Sequence, residues 1–96
     1  MGARYFETVA SGPTPDAAFR QAVEAARHEC GHGGGTGTIA EKESVIRIKP
    51  PPGERALAYA RKLAYDGLHE VCDKWGPCGC IRLPNDGWLL FGFAPD

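Results

Sequence analysis

The first residues in this sequence that could do chemistry are Gly31-His32-Gly33-Gly34-Gly35-Thr36-Gly37-Thr38, followed closely by Lys42. Successive glycine N–H groups can form a concavity that holds an anion. Here Gly34 would sit at its centre, with His32, Thr36, Thr38 and Lys42 as donors around it. That arrangement would suit a small anion or a nucleotide. The plainer alternative, and the favoured one, is a helix cap and connector, because glycine is used in loops for backbone geometry alone. Residues 35–40 match the pattern G-x-G-x-x-A. A dinucleotide fingerprint, however, needs a strand before the glycines and a helix after them, and here the helix comes first. No Lys-Ser or Lys-Thr pair follows the glycines, which excludes a Walker-type loop.

A second cluster is His69, Cys72, Cys78 and Cys80. Zinc takes four sulfur or nitrogen ligands in a tetrahedron, and these four could supply them across a helix end and the turn after it. Their spacing matches none of the common zinc patterns, and C-x-C strains two neighbouring ligands. Burial as small apolar side chains is favoured, and no cofactor is assigned, with a zinc-stabilised module as the lesser reading. A disulfide is disfavoured in a reducing compartment, and C-x-C is not the redox C-x-x-C. Catalysis has little support. Ser11 and Ser44 lack a nucleophile elbow, and Cys30 between His28 and His32 fits a buried helix stripe better than a nucleophile beside its base.

The elements that must carry these residues follow from pattern. Ala3–Ala10 reads as a strand stopped by Ser11-Gly12-Pro13, its inward face undecided between Phe6 with Thr8 and Tyr5 with Val9. Thr14 then caps a helix with Pro15 in its first turn, and Phe19, Ala22, Val23, Ala26 and Cys30 form one apolar face ending at Gly31. Thr38–Ala40 and Ser44–Lys49 read as two short strands, and Pro50 to Pro52 end the pairing. A second helix runs from Glu54, with Leu57, Ala60, Ala64, Leu68, Val71 and Trp75 on one stripe. Gly67 marks a bend in that helix or, alternatively, its break. Cys80–Leu83 and Trp88–Phe93 flank Pro84-Asn85-Asp86-Gly87, which has hairpin turn chemistry.

Ninety-six residues make one domain, residues 1–96. The fold class is α+β, a two-layer sandwich: two helices cover one face of a largely antiparallel sheet, with a ferredoxin-like βαββαβ core and an extra C-terminal strand. If Ile46, Ile48, Ile81, Leu83, Leu89, Phe91 and Phe93 pack under the helices, strand alternation puts Val45, Arg47, Lys49, Arg82, Trp88 and Leu90 on an open face. Arg47, Lys49, Arg82, Trp88 and Leu90 then form a partner-binding surface. It would be covered by a second copy or a protein partner, or would stack single-stranded nucleic acid. Against nucleic acid, 11 basic residues face 12 acidic ones. No apolar run is long enough to span a bilayer and no leader pattern is present, so a soluble cytoplasmic protein with no membrane partner is expected.

The string His32-Gly33-Gly34-Gly35-Thr36-Gly37-Thr38-Ile39-Ala40-Glu41-Lys42, behind a helix of the Phe19, Ala22, Ala26 type, resembles a stretch found in small uncharacterised proteins of bacteriophages and actinobacteria. The resemblance spans about residues 17 to 45 and transfers no residue role. It implies a microbial cytoplasm, that of the host if the chain is phage-encoded. The sequence thus points to a small non-enzymatic binding or regulatory protein acting through its sheet face on a macromolecule or on its own copy.

Overall fold

The structure, a computed structural model, describes residues 2–30 and 35–96, without the side chain of Cys30. Along the chain come β1 (Ala3–Ser11), α1 (Pro15–Cys30), a 3-10 turn (Ile39–Glu41), β2 (Val45–Arg47), α2 (Ala56–Asp66), a second 3-10 turn (Glu70–Cys72), β3 (Cys78–Leu83) and β4 (Gly87–Pro95). The sheet order is β1-β4-β3-β2. β4 is antiparallel to both β1 and β3, and β2 is parallel to β3. The expected α+β class with a mostly antiparallel sheet is what the chain adopts, and the ferredoxin-like arrangement is approached only roughly.

The two helices do not share a face. Ala18, Ala22 and Val23 of α1 pack with Phe6, Cys80 and Leu90, while Ala60 of α2 packs with Ile81, Leu89 and Phe91. Neighbouring strand residues point to opposite sides, so Leu89 and Leu90 belong to different cores. One helix per face, each extended by a 3-10 turn, suffices to cover a sheet of four strands. The expected open face therefore lies under α1.

Local chemistry explains the element ends. Thr14 Oγ1 accepts from the N–H of Ala17 at 3.1 Å, satisfying an orphan donor of α1. The expected strand at Thr38–Ala40 is a 3-10 turn instead, because Thr38 Oγ1 accepts from the N–H of Ala40 and so caps a turn. α2 stops at Gly67, which takes a left-handed conformation and donates its N–H to Leu63 O. The long second helix is thus two pieces, and its stripe is shifted: Ala56, Tyr59, Ala60 and Leu63 face the core, while Leu68 and Trp75 are exposed. At the hairpin, Asn85 and Asp86 both have positive φ, which these residue types tolerate best after glycine. No helix among the described residues is long and apolar enough to cross a membrane.

Candidate functional site

The three clusters read from the sequence are used structurally. Trp88 and Leu90 are 2% and 0% exposed within the single chain, covered by α1, so they are not open to a partner. Trp88 Nε1 donates to Gly12 O at 2.8 Å, tying β4 to the turn before α1. Arg47, Lys49 and Arg82 do remain exposed. The Arg47 and Arg82 guanidinium carbons lie 5.4 and 5.9 Å from the centre of the Trp88 ring, where they roof the indole.

The glycine loop is divided. His32 and Gly34 lie outside the described residues, as do the expected helix cap at Gly31 and the side chain of Cys30. Thr36 and Thr38 are described, and they face a carboxylate. Thr36 Oγ1 donates to Glu41 Oε2 at 2.8 Å and shares a 2.8 Å hydrogen bond with Thr38 Oγ1, while the Thr36 N–H also reaches Glu41. The Gly37 N–H is taken by Pro95 O. A carboxylate already sits where an anion would.

Lys42 is not at the rim either. It is 2% exposed, and its Nζ donates to the carbonyls of Asp73, Lys74 and Gly76 at 3.3, 3.3 and 2.9 Å. Burial holds its pKa below the ordinary lysine value, partly offset by the nearby Cys78 and Asp73. This ammonium is the cap of the turn that leads into β3, and it is not available to a ligand.

The zinc candidates fall on opposite sides of the sheet. Cys78 and Cys80 are buried in the α1-side core, whereas Cys72 packs in the α2-side core and its thiol donates to Leu63 O. His69 Nδ1 accepts from the N–H of Val71. Burial pushes the Cys78 thiol up to about 12 and that of Cys80 to about 11, so both are neutral thiols in the α1-side core. No three His, Cys, Asp or Glu side chains converge on a cation position among the described residues.

What the sequence did not single out is the outer edge of β1. The bonds from Gly12 N to Asp86 O and from Asp96 N to Gly2 O lie in the same register as the β1–β4 ladder. Even-numbered residues of β1 therefore turn their N–H and C=O toward β4, and odd-numbered ones turn theirs outward. The N–H of Ser11 is closed off by Gln21 Oε1 at 3.2 Å. Those of Ala3, Tyr5, Glu7 and Val9 have no partner among the described residues.

Two side-chain features frame this edge. On the α2 side, Arg61 grips Glu7 with two hydrogen bonds, at 2.9 and 3.1 Å, and Tyr5 OH donates to the same carboxylate at 2.8 Å. The Arg61 hydrogen bond, helped by that of Tyr5, holds the Glu7 pKa below the usual carboxylate range, and burial raises that of Tyr5. On the α1 side runs a groove of about 540 Å³ floored by Phe6, Ala22, Ala25, Ala26 and Ile39. Val9, 65% exposed, borders the groove on the strand but turns its side chain to the α2 side, as Tyr5 and Glu7 do.

The other edge is managed differently. β2 has three residues, and after Ile48 and Lys49 come Pro50, Pro51 and Pro52, which cannot donate to a ladder. β1 has nine residues and neither a proline nor a lysine. No local pattern in the sequence marks this edge, because it follows only from the strand order. Compared with protein-family models, with curated proteins and with solved structures, the chain matches none, so the site rests on its own geometry.

Proposed function

We propose that the chain is a non-enzymatic protein-binding module that takes an extended polypeptide strand onto the outer edge of β1. The binding class expected from the sequence is kept, and its location moves from the sheet face to the sheet edge. The observation that carries this is the row of outward backbone groups at Ala3, Tyr5, Glu7 and Val9, left open on the long edge while the short edge is protected. In strand addition the main chain supplies affinity and alternate side-chain positions supply selectivity. Here the groove against α1, lined by Phe6, Ala22 and Ala26 together with Thr8, Gln21 and Glu29, would receive one face of the added strand, and the Tyr5–Glu7–Arg61 group would meet the other. The resemblance of residues 17–45 to phage and actinobacterial proteins supports a microbial cytoplasm as the setting.

Heptapeptides selected from a random display library on the immobilised protein test the reading. Their binding should slow amide exchange at Tyr5, Glu7 and Val9, and Val9→Pro should abolish it, since the Val9 nitrogen points away from β4. Selected peptides that protect other amides, or edge amides already protected in dilute monomer, would refute it.

A further inference from the structure

We infer that the strand added to β1 is β1 of a second copy, paired antiparallel about a two-fold axis at Phe6. This inference rests on the strand-addition reading above and names its partner.

The open stretch is itself symmetric. Its outward groups lie at residues 3, 5, 7 and 9, and the Gln21 side chain closes the row at Ser11, so the midpoint is Phe6. A two-fold axis there sets Ala3 against the second copy's Val9 and Tyr5 against its Glu7, and each such pair exchanges both N–H···O bonds. Every open backbone group between Ala3 and Val9 is then used. On the other face of the strand, Arg4 comes opposite Thr8 and Phe6 opposite itself.

Side-chain chemistry selects this register over its neighbours. With the axis at Phe6, the Tyr5 ring lies opposite the second copy's Glu7, a carboxylate already neutralised by its own Arg61, so no like charges meet, and the exposed Val9 gains Ala3 as a cross-strand neighbour. An axis at Glu7 would put two carboxylates directly opposite each other and call on the blocked Ser11. An axis at Tyr5 would set Tyr5 against itself and carry the Val9 pairing beyond the described residues. A copy of β1 meets these constraints with the same patch on both subunits, as an isologous interface requires. The added strand also runs beside the alanine-floored groove, where small side chains let the second copy's α1 approach.

Sedimentation over a concentration series should show a dimer. Val9→Pro should weaken it by about tenfold or more, because symmetry deletes one N–H···O bond from each copy. Val9→Lys provides a second edge block that leaves the backbone unchanged, and both variants should keep the circular dichroism of the parent. Register is read by oxidising a mixture of Arg4→Cys and Thr8→Cys chains in a Cys30→Ser, Cys72→Ser background. Mixed Arg4→Cys to Thr8→Cys cross-links are expected, with few between two Thr8→Cys chains, since only the first pair lies within disulfide reach. A dimer insensitive to both edge blocks, or cross-linked in another register, overturns the inference. A strict monomer whose edge amides are still protected by selected heptapeptides overturns the second-copy assignment and leaves the strand-addition reading standing. A strict monomer with no such protection removes both.

Discussion

Replacing Lys42 by methionine tests how much of the fold hangs on one buried cation. The substitution keeps most of the side chain's volume and removes the three hydrogen bonds from Nζ to Asp73, Lys74 and Gly76. A hydrogen bond to a charged group is worth about 1.5–3 kcal/mol net. Only the bond to Gly76 is short, and the two at 3.3 Å count for less. The variant also escapes the desolvation that depresses the lysine's pKa, which offsets part of the loss. The balance is a destabilisation of about 2–4 kcal/mol. For a domain of this size that lowers the melting temperature by about 10–20 °C. Urea and thermal unfolding measure it, and amide exchange should rise first in residues 70–78, where the freed carbonyls lie. A Lys42→Met protein within about 0.5 kcal/mol of the parent, the range of an ordinary surface substitution, would show that the ammonium holds nothing.

Other expectations follow from the same contacts. Glu7 has a folded pKa below its unfolded one, so the stability it adds is complete above the ordinary carboxyl value and is lost as pH falls through the lowered value. Glu7→Gln should flatten that acid limb of the stability curve, and an unchanged acid limb would refute the Arg61 and Tyr5 pairing. Gly79→Ala should destabilise by about 1–3 kcal/mol in denaturant melts, because its Cβ would come within 2.7 Å of Cζ of the fully buried Phe91 ring. In a Cys30→Ser background at pH 8, Cys78 and Cys80 should resist a thiol reagent until the protein unfolds, while the half-buried Cys72 reacts first.

Much of the architecture was legible where local chemistry acts alone. Thr14 with Pro15 announced α1, and Asn85-Asp86 announced the hairpin, because caps and left-handed turns depend on a few neighbouring residues. The placement of α2 was not legible from its stripe, since Gly67 breaks the helix and Leu57, Leu68 and Trp75 turn outward. A better signal lay in β4. Trp88, Leu89, Leu90 and Phe91 form an unbroken apolar run, the mark of a strand buried on both faces; alternation sorts these side chains correctly, and what fails is the expectation that one of the two faces is open. Lys42 looked like a surface donor because nothing local records that three distant carbonyls would close over it. The open edge was invisible because strand order is a tertiary fact: Tyr5 and Val9 read alike in a central strand and in an outer one.

The central position of β4 has a consequence for how the chain can be made. Synthesis delivers β1 and α1 well before Gly87–Pro95, yet β4 is the strand that lies between β1 and β3. Until it arrives, the inner row of β1 is as bare as the outer one, and neither helix has its floor. Such distant pairing carries a loop-closure cost that delays folding. Translation halted before Gly87 would withhold Leu89, Leu90 and Phe91, stripping both cores in one step and leaving β1 with two sticky rows. Nascent chains stalled at that point should therefore be insoluble or chaperone-bound, while release of a few residues more converts them to the native sheet in one cooperative step.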